Sequence, residues 1–165
     1  MLEQEPVLHL VCGKIASGKS TLTRALAAET GAVRLSEDEW LAALFGDQMT
    51  SIPDFVRCSA KLRDVMEPHI LDLLAARVSV VMDFQANTID SRQWLRSLVD
   101  RSGVEHVLHY LDVPDVECKA RLARRNASGK HEFRVTEAHF DDITSHFVPP
   151  SEDEGFNLVV HRFEP

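Results

Sequence analysis

Short apolar runs alternate along the chain with longer stretches in which apolar residues recur at helical spacing. The short runs predict five strands, at residues 7–11, 32–35, 78–82, 106–111 and 158–161. The longer stretches predict helices, at residues 21–30, 40–45, 62–74, 91–100, 114–126 and 136–147. Pro68 lies inside the third helical stretch and predicts either a kink or a new helix with proline in its first turn.

Strands that alternate with helices in this way predict an α/β fold, in which one parallel sheet carries helices on both faces. The crossover connections are expected to be right-handed. Ligands bind such sheets beyond the carboxyl ends of the strands. Four residues that end or follow predicted strands are therefore expected at one edge of the sheet: Gly13, Ser36, Asp83 and Asp112.

The chain has 165 residues, which we interpret as a single domain, residues 1–165, large enough for its own core. Its net charge is −8, from 18 basic and 26 acidic side chains. This balance disfavours broad binding to nucleic acid, which needs a basic surface. It does not exclude a small anionic ligand that is held by a few local arginines.

No apolar run approaches the length of a membrane span, and the first residues lack the basic and apolar regions of a signal peptide. The three cysteines, Cys12, Cys58 and Cys118, are odd in number and lack the spacing of metal ligands. A reduced, cytoplasmic compartment without membrane attachment fits these observations best.

Residues 13–20 read Gly-Lys-Ile-Ala-Ser-Gly-Lys-Ser and match the phosphate-binding P-loop pattern G-x-x-x-x-G-K-[ST]. A predicted strand precedes the loop and a predicted helix follows it, as the motif requires. The two glycines let the backbone approach phosphate oxygens, and the helix directs its positive end at them. Lys19 is expected to reach the β- and γ-phosphates, and Ser20 to bind Mg²⁺. The predicted nucleotide-binding residues of this segment are Gly13, Lys14, Ala16, Ser17, Gly18, Lys19, Ser20 and Thr21.

Two aspartates are candidates for metal binding and for activation of an acceptor. Asp83 ends an apolar strand, where a carboxylate can hold Mg²⁺ directly or through water; the alternative is a cap on the next turn. Asp38 follows the second strand, and we predict that it accepts the proton of an acceptor hydroxyl. Ser36 and Glu39 form the pattern of a capping box around it, so the alternative is that these acids only favour a helix N-terminus.

Cations that offset the charge of a transferring phosphoryl group are expected on the fifth predicted helix. Arg121 and Arg125 lie four residues apart, on one face of that helix, together with Arg124. The segment around residues 124–135 suits a mobile lid that closes over the site. The alternative for these cations is a solvated face of the helix.

An acceptor pocket is expected between Asp38, residues 44–55 and Gln85. Three polar residues after the third strand, Gln85, Asn87 and Arg92, are candidates for contact with the acceptor. The alternative is that these residues satisfy the backbone of a turn.

These residues together resemble the small P-loop kinases of the AAA-33/zeta-toxin-like group, whose relatives include chloramphenicol phosphotransferase, gluconate kinase and the kinase domain of polynucleotide kinase. The resemblance covers nearly the whole chain and runs through residues 13–20, 33–40, 80–84, 108–114, 121–126 and 147–150. It implies a five-stranded parallel sheet in the order 2-3-1-4-5, with ATP and Mg²⁺ as cofactors. It also implies that Asp38 is the catalytic base and that Arg121 and Arg125 contact ATP.

The leading hypothesis is a kinase that transfers the γ-phosphoryl group of ATP to a hydroxyl of a small molecule. Its catalytic residues are predicted to be Lys19, Asp38, Arg121 and Arg125. The alternative hypothesis is a nucleotide-dependent switch that hydrolyses ATP slowly. A polynucleotide kinase is a third hypothesis, and it is disfavoured because residues 84–90 hold no basic side chain and the chain as a whole is acidic.

Overall fold

The computed structural model describes residues 5–129 and 134–165. Its strands are β1 (Val7–Gly13), β2 (Val33–Ser36), β3 (Val80–Asp83), β4 (Glu105–Asp112) and β5 (Leu158–Arg162). Its helices are α1 (Lys19–Thr30), α2 (Glu37–Phe45), α3 (Ile52–Ala75), α4 (Ile89–Ser102), α5 (Asp115–Ser128) and α6 (Glu137–Ser145), and a 3₁₀ turn covers Glu152–Glu154. Each predicted strand and helix is present within a few residues of its expected place, apart from the start of α3.

The five strands form one parallel sheet in the order β2-β3-β1-β4-β5, as the resemblance implied. The register pairs Ser36 of β2 with Asp83 of β3, and Gly13 of β1 with Leu111 of β4. The carboxyl ends of these strands therefore meet at one edge of the sheet, and residues 13–20 begin there. The prediction of an α/β P-loop fold is confirmed.

Two apolar clusters fill the spaces between the sheet and its helices. The larger cluster joins β1, β3 and β4 to α3 and α4, and Leu10 and Ile70 are fully buried in it. The smaller cluster packs α5 and α6 against the end of β4 through Leu111, Leu122 and Phe140. Strands that are apolar on both sides need cover on both faces, and the helices of the two clusters supply it.

Helix α3 begins ten residues earlier than its apolar pattern predicts and continues through Pro68. The start is set by Ser51, whose side chain accepts a hydrogen bond from the N–H of Asp54, and by Pro53 in the first turn. The apolar pattern fails there because the first turns are solvated; Ile52, for example, is 74 % exposed. The expectation that a new helix begins at Pro68 is wrong, since one helix spans the whole segment.

Within residues 5–129 and 134–165, no helix combines the length and the hydropathy that a membrane crossing requires. Cys12, Cys58 and Cys118 are buried, and their thiols form no disulfide. Burial raises the pKa of the Cys12 thiol to about 11, so this cysteine beside the P-loop is held as an unreactive thiol.

Candidate functional site

The P-loop turns tightly between the end of β1 and the start of α1. Ala16 and Gly18 both have left-handed backbones, with φ of 61° and 105°. A Cβ atom added at Gly13 would lie 2.5 Å from Ser17 Oγ and 3.3 Å from Leu111. The first glycine of the motif is therefore required by close packing, and the second by its backbone conformation.

Several features of the loop fit the phosphate groups of a nucleotide. The N-cap of α1 is Gly18, which offers no side chain to the first-turn amides, and that turn contains no acidic residue. By contrast, α2 is capped by the side chain of Ser36 and carries three acids in its first turn. The N–H groups at the start of α1 therefore have no side-chain cap, and the positive end of this helix is available to an anion. Among the described residues, the buried hydroxyl of Ser17 has no hydrogen-bond partner, which is a further open group in this cradle.

Lys19 lies over the loop, and its Nζ donates to the carbonyl oxygens of Gly13 at 2.7 Å and Lys14 at 2.9 Å. Burial lowers the pKa of the Lys19 ammonium, and the charges of Asp83 and Asp38 oppose that shift. Asp83 ends β3, and Asp38 lies on α2 two residues after Ser36, which pairs with Asp83 in the sheet. These two predicted site residues therefore lie at the sheet edge where the P-loop leads into α1 and Lys19.

Arg121 extends from α5 to the P-loop. Its Nη1 donates to the carbonyl oxygen of Ser17 at 3.0 Å, while its Nε donates to Glu117 at 2.7 Å. Arg125 lies one turn further along α5 and is half-buried, whereas Arg124 is exposed. The predicted lid lies partly on residues 130–133, which are outside the described residues.

The carboxylate of Asp83 is bound by two neighbouring side chains. Its Oδ2 accepts hydrogen bonds from Arg34 Nη2 at 2.7 Å and from Thr23 Oγ1 at 3.1 Å. Sequence reasoning did not select Arg34 or Thr23. One feature of the sequence did point to Arg34: it is a charged residue within the short apolar strand Val33–Ser36. An arginine in such a strand needs a buried carboxylate as its partner.

Asp38 lies on the first turn of α2 between two carboxylates that are each held by arginine. Ser36 caps the helix as predicted, accepting from the N–H of Glu39 at 3.4 Å. The Glu39 carboxylate, however, accepts from Arg34 and Arg24 at 3.0 Å each, so the expected capping box is not completed.

Glu37, on the other side of Asp38, is 2 % exposed and accepts from Arg63 at 3.2 Å and from the N–H of Gln85 at 3.2 Å. Burial raises the pKa of Glu37, and Arg63 counteracts the shift. Glu37 was not a predicted site residue, and its contacts tie α2 to α3 and to the segment after β3.

The three residues considered for acceptor contact lie in different environments. The Gln85 side chain is exposed near the start of α2. Asn87 Oδ1 accepts from the N–H of Gly13 at 3.2 Å, which ties this segment to the P-loop. Arg92 has no exposed side-chain surface, and it donates to Glu154 at 2.6 Å and to the carbonyl oxygen of Val148 at 2.8 Å. We therefore assign Arg92 a structural role in place of the expected contact with the acceptor.

Solved structures share this fold at low sequence identity. A candidate kinase from Chloroflexus aurantiacus J-10-fl is 22 % identical with a TM-score of 0.75; the alignment covers 96 % of this chain and 86 % of that one. The Mycobacterium tuberculosis APS kinase CysC, in complex with AMPPNP and APS, is 21 % identical with a TM-score of 0.64, over 96 % and 88 % of the two chains. A gluconokinase from Sinorhizobium meliloti 1021 is 18 % identical with a TM-score of 0.64, over 96 % and 83 %.

No curated protein matches the sequence. A family does: the one described as AAA domain, AAA_33, matches residues 8–150. That match spans β1 to the end of the segment after α6, and it includes the P-loop, Asp38, Asp83 and Arg121. The chain therefore belongs to the AAA_33 family.

Proposed function

We propose that this protein is an ATP- and Mg²⁺-dependent kinase that transfers the γ-phosphoryl group to a hydroxyl of a small molecule. One observation carries the proposal: Asp83 and Ser36, the cap of the helix that carries Asp38, are paired at the sheet edge where the P-loop begins. Phosphoryl transfer needs a phosphate cradle, a cation and a carboxylate that can receive a proton, and these groups meet here. The family and the shared fold of kinases support the same reaction class.

The loop residues have distinct proposed roles in binding the nucleotide. The amides of residues 13–20 and the N-terminus of α1 would hold the phosphates. Lys19, Arg121 and Arg125 would stabilise the charge that spreads over the γ-phosphoryl oxygens. Ser20 and Asp83 would hold Mg²⁺, which neutralises charge on the β- and γ-phosphates. Oxygen donors of this kind suit Mg²⁺, and since Asp83 Oδ2 is already paired with Arg34, Asp83 would hold the ion through water.

In the proposed reaction, the acceptor hydroxyl oxygen attacks the γ-phosphorus atom. A new O–P bond forms, the bond from phosphorus to the bridging oxygen breaks, and ADP leaves. Asp38 receives the hydroxyl proton as the nucleophile forms its bond. The anchored first turn of α2 would hold this carboxylate beside the γ-phosphate.

A small molecule, in place of a polynucleotide end, is the proposed acceptor class. The segment from Phe84 to Asp90 carries no basic residue, and the arginines described near Asp38 are already paired: Arg34 with Asp83 and Arg63 with Glu37. A polynucleotide end would need a basic channel along its phosphates, and binding that falls steeply with salt.

The test is transfer of the labelled γ-phosphate of ATP to a panel of sugars, nucleosides, antibiotics and nucleotide sugars. Asp38→Asn is expected to lower kcat for the phosphorylated acceptor by about 10²–10⁴-fold, because the general base is lost. The affinity for nucleotide is expected to stay unchanged. Asp72→Asn is the matched control, since Asp72 is an exposed acid on α3 and outside the proposed site.

Two results would contradict the proposal. One is a wild-type kcat in Asp38→Asn on the acceptor that the panel identifies. The other is transfer to no acceptor, together with slow ATP hydrolysis that Asp38→Asn does not change, which is the behaviour of a nucleotide-dependent switch.

A further inference from the structure

Arg34 of β2 joins three of the elements that build the site. Its Nε donates to Thr23 Oγ1 of α1 at 2.9 Å, and its Nη2 donates to Asp83 Oδ2 of β3 at 2.7 Å. Its Nη1 donates to both carboxylate oxygens of Glu39 on α2, at 3.0 and 3.1 Å. All three nitrogens of one guanidinium are therefore engaged with three different elements.

The contacts of Arg34 with Thr23 and Asp83 lie inside the protein, whereas the Glu39 side chain is 40 % exposed. The side chains of Arg34 and Asp83 are 14 % and 8 % exposed, and Thr23 is fully buried. The Thr23 hydroxyl also lies 3.1 Å from the carbonyl oxygen of Ser20, one turn earlier on α1. Charge-assisted hydrogen bonds are strong in such surroundings. The network thus runs from the start of α1, through Arg34, to the residue next to Asp38.

Asp38 is flanked by two anchored neighbours on the first turn of α2. Glu37 is tied to α3 by Arg63 and to the segment after β3 by the N–H of Gln85. Glu39 is tied to β2 by Arg34. Successive side chains on a helix point about 100° apart, so two anchors on either side of Asp38 fix the rotation of this turn.

Building on the proposed function, we propose that Arg34 is a positioning residue for phosphoryl transfer, which fixes Asp38 relative to the P-loop through Glu39, Asp83 and Thr23. Arg34 does not contact the reacting atoms. The planar fork of an arginine can reach three partners at once, whereas the ammonium of a lysine is a single point of charge. The burial of Leu41 and the cap from Ser36 already hold α2 on the protein, so the contribution of Arg34 is orientation.

The test compares Arg34→Lys and Glu39→Ala with the wild type and with Arg24→Ala. Arg24 is a matched control because it also donates to Glu39, at 3.0 Å, but it is mostly exposed. The first measurement is hydrogen–deuterium exchange of the amides of residues 36–41, which needs neither nucleotide nor acceptor. The second is kcat and KM for transfer to the acceptor that the panel identifies, with Kd for a fluorescent ATP analogue.

We expect both variants to exchange faster at residues 36–41 and to lose about 10²-fold in kcat, the scale of a small misplacement of a catalytic group. The Kd for the ATP analogue is expected to stay at the wild-type value, and Arg24→Ala to match the wild type throughout. Wild-type exchange in both variants overturns the role of Arg34, as does faster exchange with an unchanged kcat. If the wild type transfers phosphate to no acceptor, that result instead overturns the proposed function, and with it the positioning role of Arg34 in phosphoryl transfer.

Discussion

The guanidinium of Arg121 donates a hydrogen bond of 3.0 Å to the carbonyl oxygen of Ser17, across 104 residues of sequence. Its Nε donates to Glu117 Oε1 at 2.7 Å, and its Cζ lies 5.5 Å from the centre of the Phe163 ring. These contacts bring a cation of α5 to the loop that fits phosphate. The structure therefore holds this cation against the P-loop.

Arg121→Ala should lower kcat for the proposed phosphoryl transfer by about 10³-fold or more, the scale at which an arginine stabilises the transferring group. The reason is the loss of positive charge beside the γ-phosphate. Steady-state kinetics with ATP as the varied substrate measures the effect. Arg124→Ala is the control, because that side chain is exposed and lies 3.7 Å from Glu117. Equal kcat values for the two variants would remove Arg121 from the mechanism.

Gly13→Ala should weaken nucleotide binding, because its Cβ would lie 2.5 Å from Ser17 Oγ. Overpacking costs about 1–3 kcal/mol, which corresponds to roughly a 5–150-fold rise in Kd if the loop absorbs the strain. Titration of a fluorescent ATP analogue measures the change. Adding Ser17→Ala removes the clashing oxygen and should restore part of the affinity. No restoration would show that the hydroxyl of Ser17 is not the obstacle.

Arg92→Met should destabilise the fold without any direct effect on chemistry. Glu154 would be left as a partly buried carboxylate without its 2.6 Å partner, and the carbonyl oxygen of Val148 would lose its donor. Breaking a buried ion pair costs about 3–5 kcal/mol. Urea unfolding measures the loss, and Arg57→Gln should leave the midpoint almost unchanged, since its pair with Asp54 is at the surface. If Arg92→Met lost little free energy of unfolding, this result would argue against a role for Arg92 in stabilising the fold.

The fold could be predicted from local patterns in the sequence. The spacing of apolar residues marked each strand, and the glycines of residues 13–20 marked the turn that follows β1. Once a parallel sheet is expected, the ends of its strands must share an edge, so the approach of Ser36 to Asp83 follows from topology. The start of α3 was missed because its signal is a cap and a proline, while Ile52 and Val56 face solvent.

Long-range ion pairs account for what the sequence did not reveal. Arg34 stands out in the sequence only as a charged residue of a short apolar strand, and its partner Asp83 is 49 residues away. Arg92 was considered for contact with the acceptor or for satisfying a turn, whereas the structure pairs it inside the protein with Glu154, 62 residues away. Such pairs depend on which elements pack together. A single sequence does not show this packing, so the pairs can be recognised only once the fold is known. The same limit applies to the roles of Glu37 and Glu39, which local capping rules described incompletely.

Three histidines form a row across neighbouring strands. His109 Nε2 lies 3.2 Å from His9 Nδ1, and His109 Nδ1 lies 3.0 Å from His161 Nε2. Burial lowers the pKa of His109 to about 4, and the neighbouring His9 and His161 add to the shift. A neutral His109 is therefore required by the folded state, while the unfolded chain takes up a proton near the ordinary value of 6.5.

The free energy of unfolding should therefore fall as the pH decreases from 6.5 towards 4, because the unfolded state binds a proton that folded His109 does not. At about 1.4 kcal/mol per pKa unit, His109 alone accounts for at most about 3 kcal/mol of this loss. Urea unfolding at a series of pH values, for the wild type and for His109→Gln, isolates the contribution, since the carboxylates titrate in both proteins. The variant is expected to be less stable near neutral pH and to lose less stability between these values. His69→Gln, at an exposed position on α3, should keep the wild-type slope, and an equally steep slope in His109→Gln would mean that His109 is protonated in the folded protein.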